Sequence, residues 1–272
     1  MKIDETNIHE FLEENDTHLI CRHQNVESII IPESIGQSLK LIFIFCCRTT
    51  SITIPDTCTS LEHINVTYND LTYLKILDTC TALKQIHCCG NLLTALIIPD
   101  TCTSLEEIDF SDNKLTSFTI PDACVNLNHI DCSNNKLTEL IIPNTLTKLE
   151  EITCDGNYIS NFIIPPECIN LEAIVSEKNK LISIDIPHTL SKLRILRLEG
   201  NNLTSLIIHA SLSGIQYLST DDNVTILILH DKPFTIGYVN CEQDTYKLHK
   251  TTSDLIIRTC MGISNFRNFI CT

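Results

Sequence analysis

Apolar and polar residues alternate over short stretches that recur along most of the chain. In LEEIDFSDN, Ile108 and Phe110 stand two positions apart, and Ile130 and Cys132 do so in LNHIDCSNN. A period of two residues is typical of a strand that buries one face. The pattern therefore predicts many short strands, each with its intervening residues exposed.

An asparagine follows these predicted strands at a constant interval. It recurs eight times, always 22 residues apart, at Asn69, Asn91, Asn113, Asn135, Asn157, Asn179, Asn201 and Asn223. Proline keeps the same register at Pro55, Pro99, Pro121, Pro143, Pro165 and Pro187. One such repeat cannot bury its apolar face alone, so we expect neighbouring repeats to stack as parallel strands. The asparagine is then structural, its buried amide bonding the backbone of its own and adjacent rungs.

The repeat resembles a known family. Leu193, Leu196, Leu198, Asn201 and Leu203 in LRILRLEGNNL match the L-x-x-L-x-L-x-x-N-x-L signature of leucine-rich repeats. The resemblance covers about residues 19–230. Cysteines in the strand position, at Cys88, Cys132 and Cys154, make it similar to bacterial internalin-like and effector-type repeats. The resemblance implies a curved solenoid that binds another protein on its concave face.

These observations predict the fold class and the boundaries of its parts. The fold is a mostly β or α-β solenoid of about ten rungs, right-handed and curved, with a parallel sheet on the concave face. Proline fixes φ and removes a donor, so the convex segments are expected to be irregular or 3-10. We predict an N-terminal cap over 1–18, the solenoid over 19–230 and a C-terminal cap over 231–272. Upstream, Cys47 takes the asparagine position, with one extra residue between Pro32 and Pro55.

The composition argues against several classes of function. The chain has 19 Lys and Arg against 34 Asp and Glu, a net charge of −15, so nucleic acid and anionic membranes are disfavoured as partners. The 7 glycines form no phosphate-binding loop, which excludes enzymes that depend on one. No apolar run approaches the roughly 20 residues of a membrane helix, and the acidic start lacks the apolar region of a signal peptide. We predict no enzymatic activity and no cofactor.

Ten of the 15 cysteines fall in repeat positions. Cys21, Cys88, Cys132 and Cys154 take the inward strand position, Cys47 the asparagine position, and Cys58, Cys80, Cys102, Cys124 and Cys168 a convex position filled elsewhere by leucine. A position shared with leucine indicates a small buried hydrophobe. So many free thiols favour a reducing, cytoplasmic compartment, reached in a host cell without a classical signal peptide if the chain is delivered there.

Two other uses of cysteine stay open. His87, Cys88, Cys89, His129 and Cys132 have ligand-like spacings for structural zinc, but alternate residues of a strand face opposite sides. Catalysis by Cys241, Cys260 or Cys271 is a further alternative, although no nucleophile context surrounds these residues.

The exposed strand positions form columns, because equivalent residues of stacked repeats lie side by side. The predicted partner-binding residues are the acidic and histidine group His87, Glu107, Asp109, His129, Asp131, Glu151 and Asp155, and the anchors Ile195, Arg197 and Tyr217. Like charges on neighbouring rungs repel unless a partner relieves them, so we expect a protein partner with a basic or mixed-charge surface. A divalent ion among His87, Asp109, His129 and Asp131 is an alternative.

One stretch of this face is apolar instead. Leu41, Phe43 and Phe45 are predicted to be exposed in an early rung. They are covered by the N-terminal segment, in which Ile3, Ile8, Phe11 and Leu12 fit one helical face, or they form a docking patch.

The predicted function is a non-enzymatic interaction scaffold that binds a partner protein through the concave face. The resemblance adds a role as a pathogen or symbiont effector acting on a host protein. The alternatives are an adaptor or regulatory subunit of an enzyme complex, such as a ubiquitin ligase, and a surface adhesin-like protein.

Overall fold

The computed structural model describes residues 1–221, 224–229, 239–240, 244–250 and 254–262. The chain forms two compact units, Met1–Leu137 and Thr138–Thr272. Helix in the described chain is confined to one turn of α-helix, Glu33–Gly36, and two 3-10 turns, Ile8–Phe11 and Ala210–Leu212. None of these could cross a membrane.

In the first unit, six parallel strands stack side by side in chain order as the main sheet. They are His18–Arg22, Leu41–Phe45, His63–Asn65, Gln85–His87, Glu107–Asp109 and His129–Asp131. The strand Leu12–Glu13 adds to the first of them in the antiparallel sense. A return side carries the parallel strands Lys2–Ile3, Ser28–Ile30 and Ser51–Thr53, and the parallel pair Leu74–Lys75 and Leu96–Ile97.

The second unit repeats this arrangement. Its main-sheet strands are Glu151–Thr153, Ala173–Val175, Ile195–Arg197, Tyr217–Ser219 and Val239–Asn240, all parallel. Its return side carries the pair Glu139–Ile141 and Asn161–Ile163, and a sheet in the order Ser205–His209, Thr225–Leu229, Asp254–Gly262 and Asp244–Lys250. The predicted parallel β-solenoid of about ten turns with almost no helix is confirmed.

The core lies between the main sheet and the return side, and the predicted inward residues fill it. Ile108, Phe110, Ile130 and Cys132 are all at most 1% exposed. All ten cysteines assigned to repeat positions are buried as free thiols. Burial raises the pKa of Cys58 and of Cys102 to about 12, so these thiols stay protonated at neutral pH and pack as small apolar groups.

The asparagine column is structural, as predicted. Asn91 Nδ2 donates to the carbonyls of Cys88 and Cys89 in its own rung, at 3.0 and 3.2 Å, and to Val66 in the preceding rung, at 2.9 Å. Its Oδ1 accepts the N–H of Leu71, also in the preceding rung, at 3.1 Å. Each such amide satisfies backbone groups that the turn leaves unpaired, and it ties two rungs together.

In the repeats up to Asn201, the residue before the asparagine position turns the chain with a positive φ. Tyr68, Asp112 and Asn134 have φ of 54, 52 and 53°. Gly90 takes the same position with φ of 65°, and a Cβ there would lie 2.5 Å from the ring of Tyr68. Glycine is therefore required at 90, because the ring of the preceding rung occupies the space of a side chain.

The extra residue that the sequence places between Pro32 and Pro55 is located by the structure. Leu39 and Leu61 keep the 22-residue spacing, whereas Ile35 and Cys58 are 23 apart. The stretch between Ile35 and Leu39 follows the single α-helical turn Glu33–Gly36. The extra residue is accommodated at this turn, so the flanking strands His18–Arg22 and Leu41–Phe45 pair in register along their whole length.

The N-terminal segment differs from the single helical face that the sequence suggested. Ile3 lies in a short strand paired with Ser28–Ile30, and Ile8 and Phe11 lie in the 3-10 turn. All three are buried, so the segment covers apolar surface without forming one helix, and pairing of Lys2–Ile3 with Ser28–Ile29 satisfies backbone groups of the return-side strand. The predicted boundaries at 18, 19, 230 and 231 remain predictions. Cys241 and Cys271 lie outside the described residues, as does the side chain of Cys260.

Candidate protein-interaction face

The candidate site is the exposed face of the main sheet, and strand register fixes which side chains are neighbours there. Glu107 pairs with Gln85 on one side and with His129 on the other. Asp109 pairs with His87 and with Asp131 in the same way. The structure thus brings together five of the predicted partner-binding residues of the first unit on three adjacent strands.

A row of side-chain contacts crosses these strands and holds Glu107 in place. His63 Nδ1 lies 3.0 Å from Gln85 Oε1, and Gln85 Nε2 donates to Glu107 Oε2 at 3.0 Å. The second carboxylate oxygen, Oε1, lies 3.1 Å from His87 Nε2. The two oxygens of the Glu107 carboxylate are therefore both positioned by the one neighbouring strand, Gln85–His87, and a side chain fixed in this way loses less entropy when it binds a ligand.

Asp109 and Asp131 form the acidic centre of the face. Asp109 Oδ1 accepts from Ser111 N at 2.9 Å and from Ser111 Oγ at 2.6 Å, and Asp131 Oδ1 accepts from Ser133 N at 2.9 Å. Burial raises the pKa of Asp131, and the Asp109 carboxylate raises it further, against the opposing effects of Ser133 and His129. Ionisation of Asp131 is therefore less favourable than that of an exposed Asp, and a nearby cation would offset the difference.

The face offers carboxylates rather than a metal site. In the part of the chain that the structure describes, no three His, Cys, Asp or Glu side chains converge in a way that could hold a metal ion. Cys89, next to Asp109 on this face, is a protonated thiol, because burial and then the Asp109 charge raise its pKa to about 12. These side chains suit ionic contacts with a partner.

In the second unit, acidic residues give way to apolar ones from strand to strand. Glu151 is paired in register with Ala173, which is 7% exposed, and Val175 is 9% exposed. The backbone N–H of Glu177 donates to Asp155 Oδ1 at 2.6 Å. Glu151 and Asp155 thus border a patch of low polarity.

The three predicted anchors lie beside this patch. Ile195 and Tyr217 are register partners on adjacent strands, and Ile195 is 38% exposed. Arg197 Nε lies 2.6 Å from Glu177 Oε1, and its guanidinium carbon lies 5.8 Å from the centre of the Tyr217 ring. The ion pair with Glu177 keeps the Arg197 guanidinium within cation–π distance of the Tyr217 ring.

Some residues of the face were not among the predicted set. His63, Gln85 and Glu177 stand in the same columns as the predicted residues, and that column position was the available signal. The sequence does not show that these residues position others. In the structure His63 and Gln85 position Glu107, and Glu177 positions Arg197.

The repeat pattern matches a known family. A family model described as BspA type leucine rich repeat region matches residues 2–114 and again 109–225. No curated protein matches the chain significantly.

Solved structures of bacterial leucine-rich repeat proteins share the fold. YopM, a leucine-rich effector protein from Yersinia pestis, is 21% identical with a TM-score of 0.65, over 83% of this chain and 59% of YopM. The functional domain of InlJ from Listeria monocytogenes, which includes a cysteine ladder, is 20% identical with a TM-score of 0.53, over 88% of this chain and 60% of that domain. The internalin InlF from the same species is 16% identical with a TM-score of 0.51, over 80% and 67%. The chain thus spans about three-fifths of the first two.

Proposed function

The chain belongs to the BspA-type leucine-rich repeat family, and on that premise we propose that it is a non-enzymatic scaffold that binds a basic or mixed-charge protein through the exposed face of its main sheet. The observation that carries the proposal is the acidic centre at Asp109 and Asp131 beside the fixed carboxylate of Glu107. Repeats of this family commonly present such a sheet to protein ligands.

The charges of the acidic centre support a cationic partner. Neighbouring strands are roughly 4.8 Å apart, so two ionised carboxylates in register repel by about 1 kcal/mol in a largely solvated setting. A Lys or Arg side chain placed between Asp109 and Asp131 would remove that repulsion and add charge-assisted hydrogen bonds. The same carboxylates would speed the approach of a basic surface.

The second unit supports a partner with an apolar component as well. Arg197 and Tyr217 are of residue types that are enriched among the residues dominating binding energy at protein interfaces, and Ile195 adds an exposed apolar side chain. They lie next to Ala173 and Val175, which are almost fully buried, so Ile195, Arg197 and Tyr217 themselves supply the surface that a partner side chain would contact. This patch is the reason for proposing a protein rather than a small cation.

We also propose that binding takes place in a reducing, cytoplasmic compartment. Ten buried free thiols favour it, because such thiols are kept reduced there. The effector description of the Yersinia protein of similar fold motivates the finer proposal that this chain is a pathogen or symbiont effector and that its partner is a host protein.

The test is affinity capture from eukaryotic cell lysate with a charge-neutral variant. Asp109→Asn with Asp131→Asn removes two charges and keeps the turns, because Asn65 already makes the same turn, its Oδ1 accepting from Thr67 N at 3.2 Å and Thr67 Oγ1 at 2.7 Å. We expect basic proteins on the wild type, and at least a tenfold loss of them on the variant, quantified by mass spectrometry.

The matched control is Asp100→Asn with Asp122→Asn. These exposed carboxylates lie in the turns of the return side, so the control has the same net charge as the test variant. It should retain the partners of the wild type. Equal retention by all three proteins would refute the acidic centre as the site, and so would equal loss by both variants, which would indicate an effect of net charge alone.

A further inference from the structure

A second exposed surface lies at the amino-terminal end of the main sheet and differs in character from the acidic centre. An aromatic cluster runs across its first rungs. The ring of Phe45 meets the edge of His23 at 5.3 Å and of Tyr68 at 5.7 Å between ring centres, and Phe43 lies 6.2 Å away. Phe43 and Phe45 are only half-buried, so the N-terminal segment does not cover them fully.

The outer edge of this sheet is only partly paired. The strand His18–Arg22 pairs along its whole length with Leu41–Phe45. On its other side, the strand Leu12–Glu13 reaches only His18 and Leu19. Among the described residues, no strand pairs with Ile20–Arg22 on that side. An open edge of this kind is a template for an added strand.

Two arginines lie close to this edge, Arg22 in the edge strand and Arg48 just after the next strand, Leu41–Phe45. The guanidinium of Arg22 lies 4.9 Å above the ring of Phe43, and Arg48 is exposed. In the described part of the chain neither forms an ion pair, whereas Arg194 and Arg197 both do. The protein as a whole repels anions because its net charge is −15. Two arginines without an ionic partner among the described residues therefore favour anion binding at this place.

A surface cavity lies next to the aromatic cluster, in the turns that follow the strands His18–Arg22 and Leu41–Phe45. Its volume is about 190 Å³, and it is lined by His23, Gln24, Asn25, Cys46 and Arg48. The lining offers hydrogen-bond donors from His23, the two amides and the guanidinium. His23 belongs both to the cavity and to the aromatic cluster, so one ligand could reach the two together.

The backbone at Arg48 departs from the later repeats. Arg48 has φ of 56°, while the equivalent positions Asp70 and Leu92 are not among the residues with positive φ. A left-handed conformation costs a residue other than glycine about 1 kcal/mol or more. It directs the chain so that Arg48 lines the cavity.

We propose that this edge binds an extended, acidic segment of a partner protein as an additional strand beside Ile20–Arg22. A carboxylate of the segment enters the cavity with Arg48 and His23, and an apolar side chain of the segment lies beside Ile20 and Arg22, the outward residues of the edge strand next to Phe43 and Phe45. A long polyanion is disfavoured because the rest of the chain repels it, whereas a short segment with one or two carboxylates is not. This site is separate from the acidic centre and opposite to it in charge.

The experiment is selection from a library of random heptapeptides displayed on phage, against the full chain under reducing conditions. The selected peptides are then synthesised with a fluorescein label, and their Kd is measured by anisotropy. We expect Asp or Glu together with apolar residues at alternate positions, the spacing that an added strand presents to one face. Arg22→Gln and Arg48→Gln should each weaken binding by about tenfold, as the loss of a charged hydrogen bond does.

Two comparisons keep the result specific. Lys136→Gln removes the same charge from an exposed position elsewhere in the first unit and should leave Kd within about twofold. Methylating alternate peptide nitrogens should abolish binding if the segment pairs as a strand, since the ladder needs those donors.

Three results would overturn the proposal. Selection that yields no binding peptide, or peptides without acidic residues, rejects the acidic ligand. Peptides that bind Arg22→Gln and Arg48→Gln as tightly as the wild type place the ligand elsewhere. Full binding by the methylated peptides rejects strand addition, and concentration-dependent self-association lost in Arg48→Gln would identify a second copy of the chain as the occupant instead.

Discussion

Replacing Asn113 with alanine tests what holds one repeat to the next. Its side chain is buried and makes four backbone contacts in the first unit. Nδ2 donates to the carbonyls of Cys88, Phe110 and Ser111, each at 3.0 Å, and Oδ1 accepts from Leu93 N at 2.9 Å. Alanine removes all four and leaves the backbone groups buried without a partner.

The expected cost follows from the number of bonds that an amide can make at full strength. Two hydrogens on Nδ2 supply two strong bonds among the three carbonyl contacts, and Oδ1 adds a third. A bond whose partner stays buried is worth about 1–1.5 kcal/mol. Asn113→Ala should therefore lower the free energy of unfolding by about 3–5 kcal/mol, well above the usual effect of one substitution.

The assay is urea unfolding followed by circular dichroism under reducing conditions. Asn170→Ala is the control, because it also removes two side-chain hydrogen bonds, to Thr147 O and from Lys192 Nζ, both at 2.7 Å, and both of these bonds are exposed to solvent. Water replaces those bonds, so its cost should be below about 1 kcal/mol. The m-value must be compared as well, since stacked repeats can unfold in parts.

The reasoning fails if the two variants differ by less than about 1 kcal/mol while m stays unchanged. That result would mean that water enters the turn and replaces the amide, and that stacking of the apolar residues alone holds the rungs together.

Three further substitutions or treatments test other parts of the structure. Gly90→Ala should lower the free energy of unfolding by about 1–3 kcal/mol, because φ at this position is 65° and the new Cβ meets the ring of Tyr68. In thermal unfolding, the same substitution should cost less stability when it is made in the Tyr68→Ala variant. Asp131→Asn should stabilise the protein at pH 7, because the pKa of Asp131 is raised in the folded state and its ionisation lowers the free energy of unfolding as pH rises through that pKa. The gain should vanish below pH 3.8, the ordinary Asp pKa, where Asp131 is protonated in both states. A gain that does not change with pH in urea titrations would contradict this. Iodoacetamide at pH 8 should spare the ten buried thiols of the folded protein and label all of them in urea, with the half-buried Cys46 reacting before these ten. Mass mapping that finds Cys58 or Cys102 labelled in the folded state would contradict their burial.

Much of the fold could be predicted because the repeat imposes one register on every rung. The interval between asparagines determines which residues share a column, and alternation within each strand determines which of them are buried. The pairing of Glu107 with His129 and of Asp109 with Asp131 follows from those two rules alone. The burial of cysteines in leucine positions follows from the same rules.

The remaining features depend on contacts that periodicity does not encode. The chain of contacts from His63 through Gln85 to Glu107 depends on side-chain rotamers. The cavity at Arg48 depends on a backbone conformation that later repeats lack. The open edge at Arg22 exists because the N-terminal strand Leu12–Glu13 is only two residues long. Such features arise at irregular positions, where the repeat rule no longer determines the structure.

The asparagine ladder has a direction, and that direction bears on how such a chain is made and how it changes length. Asn113 completes the bonding of the rung before it, through Cys88 and Leu93, and Asn135 in turn does the same for Phe110 and Leu115. During synthesis on the ribosome, each newly emerged repeat therefore closes the one already formed, so that only the youngest rung awaits its partner. A gene that gains or loses a whole number of 22-residue modules leaves this order intact, whereas any other insertion must be absorbed within a turn, as Glu33–Gly36 does.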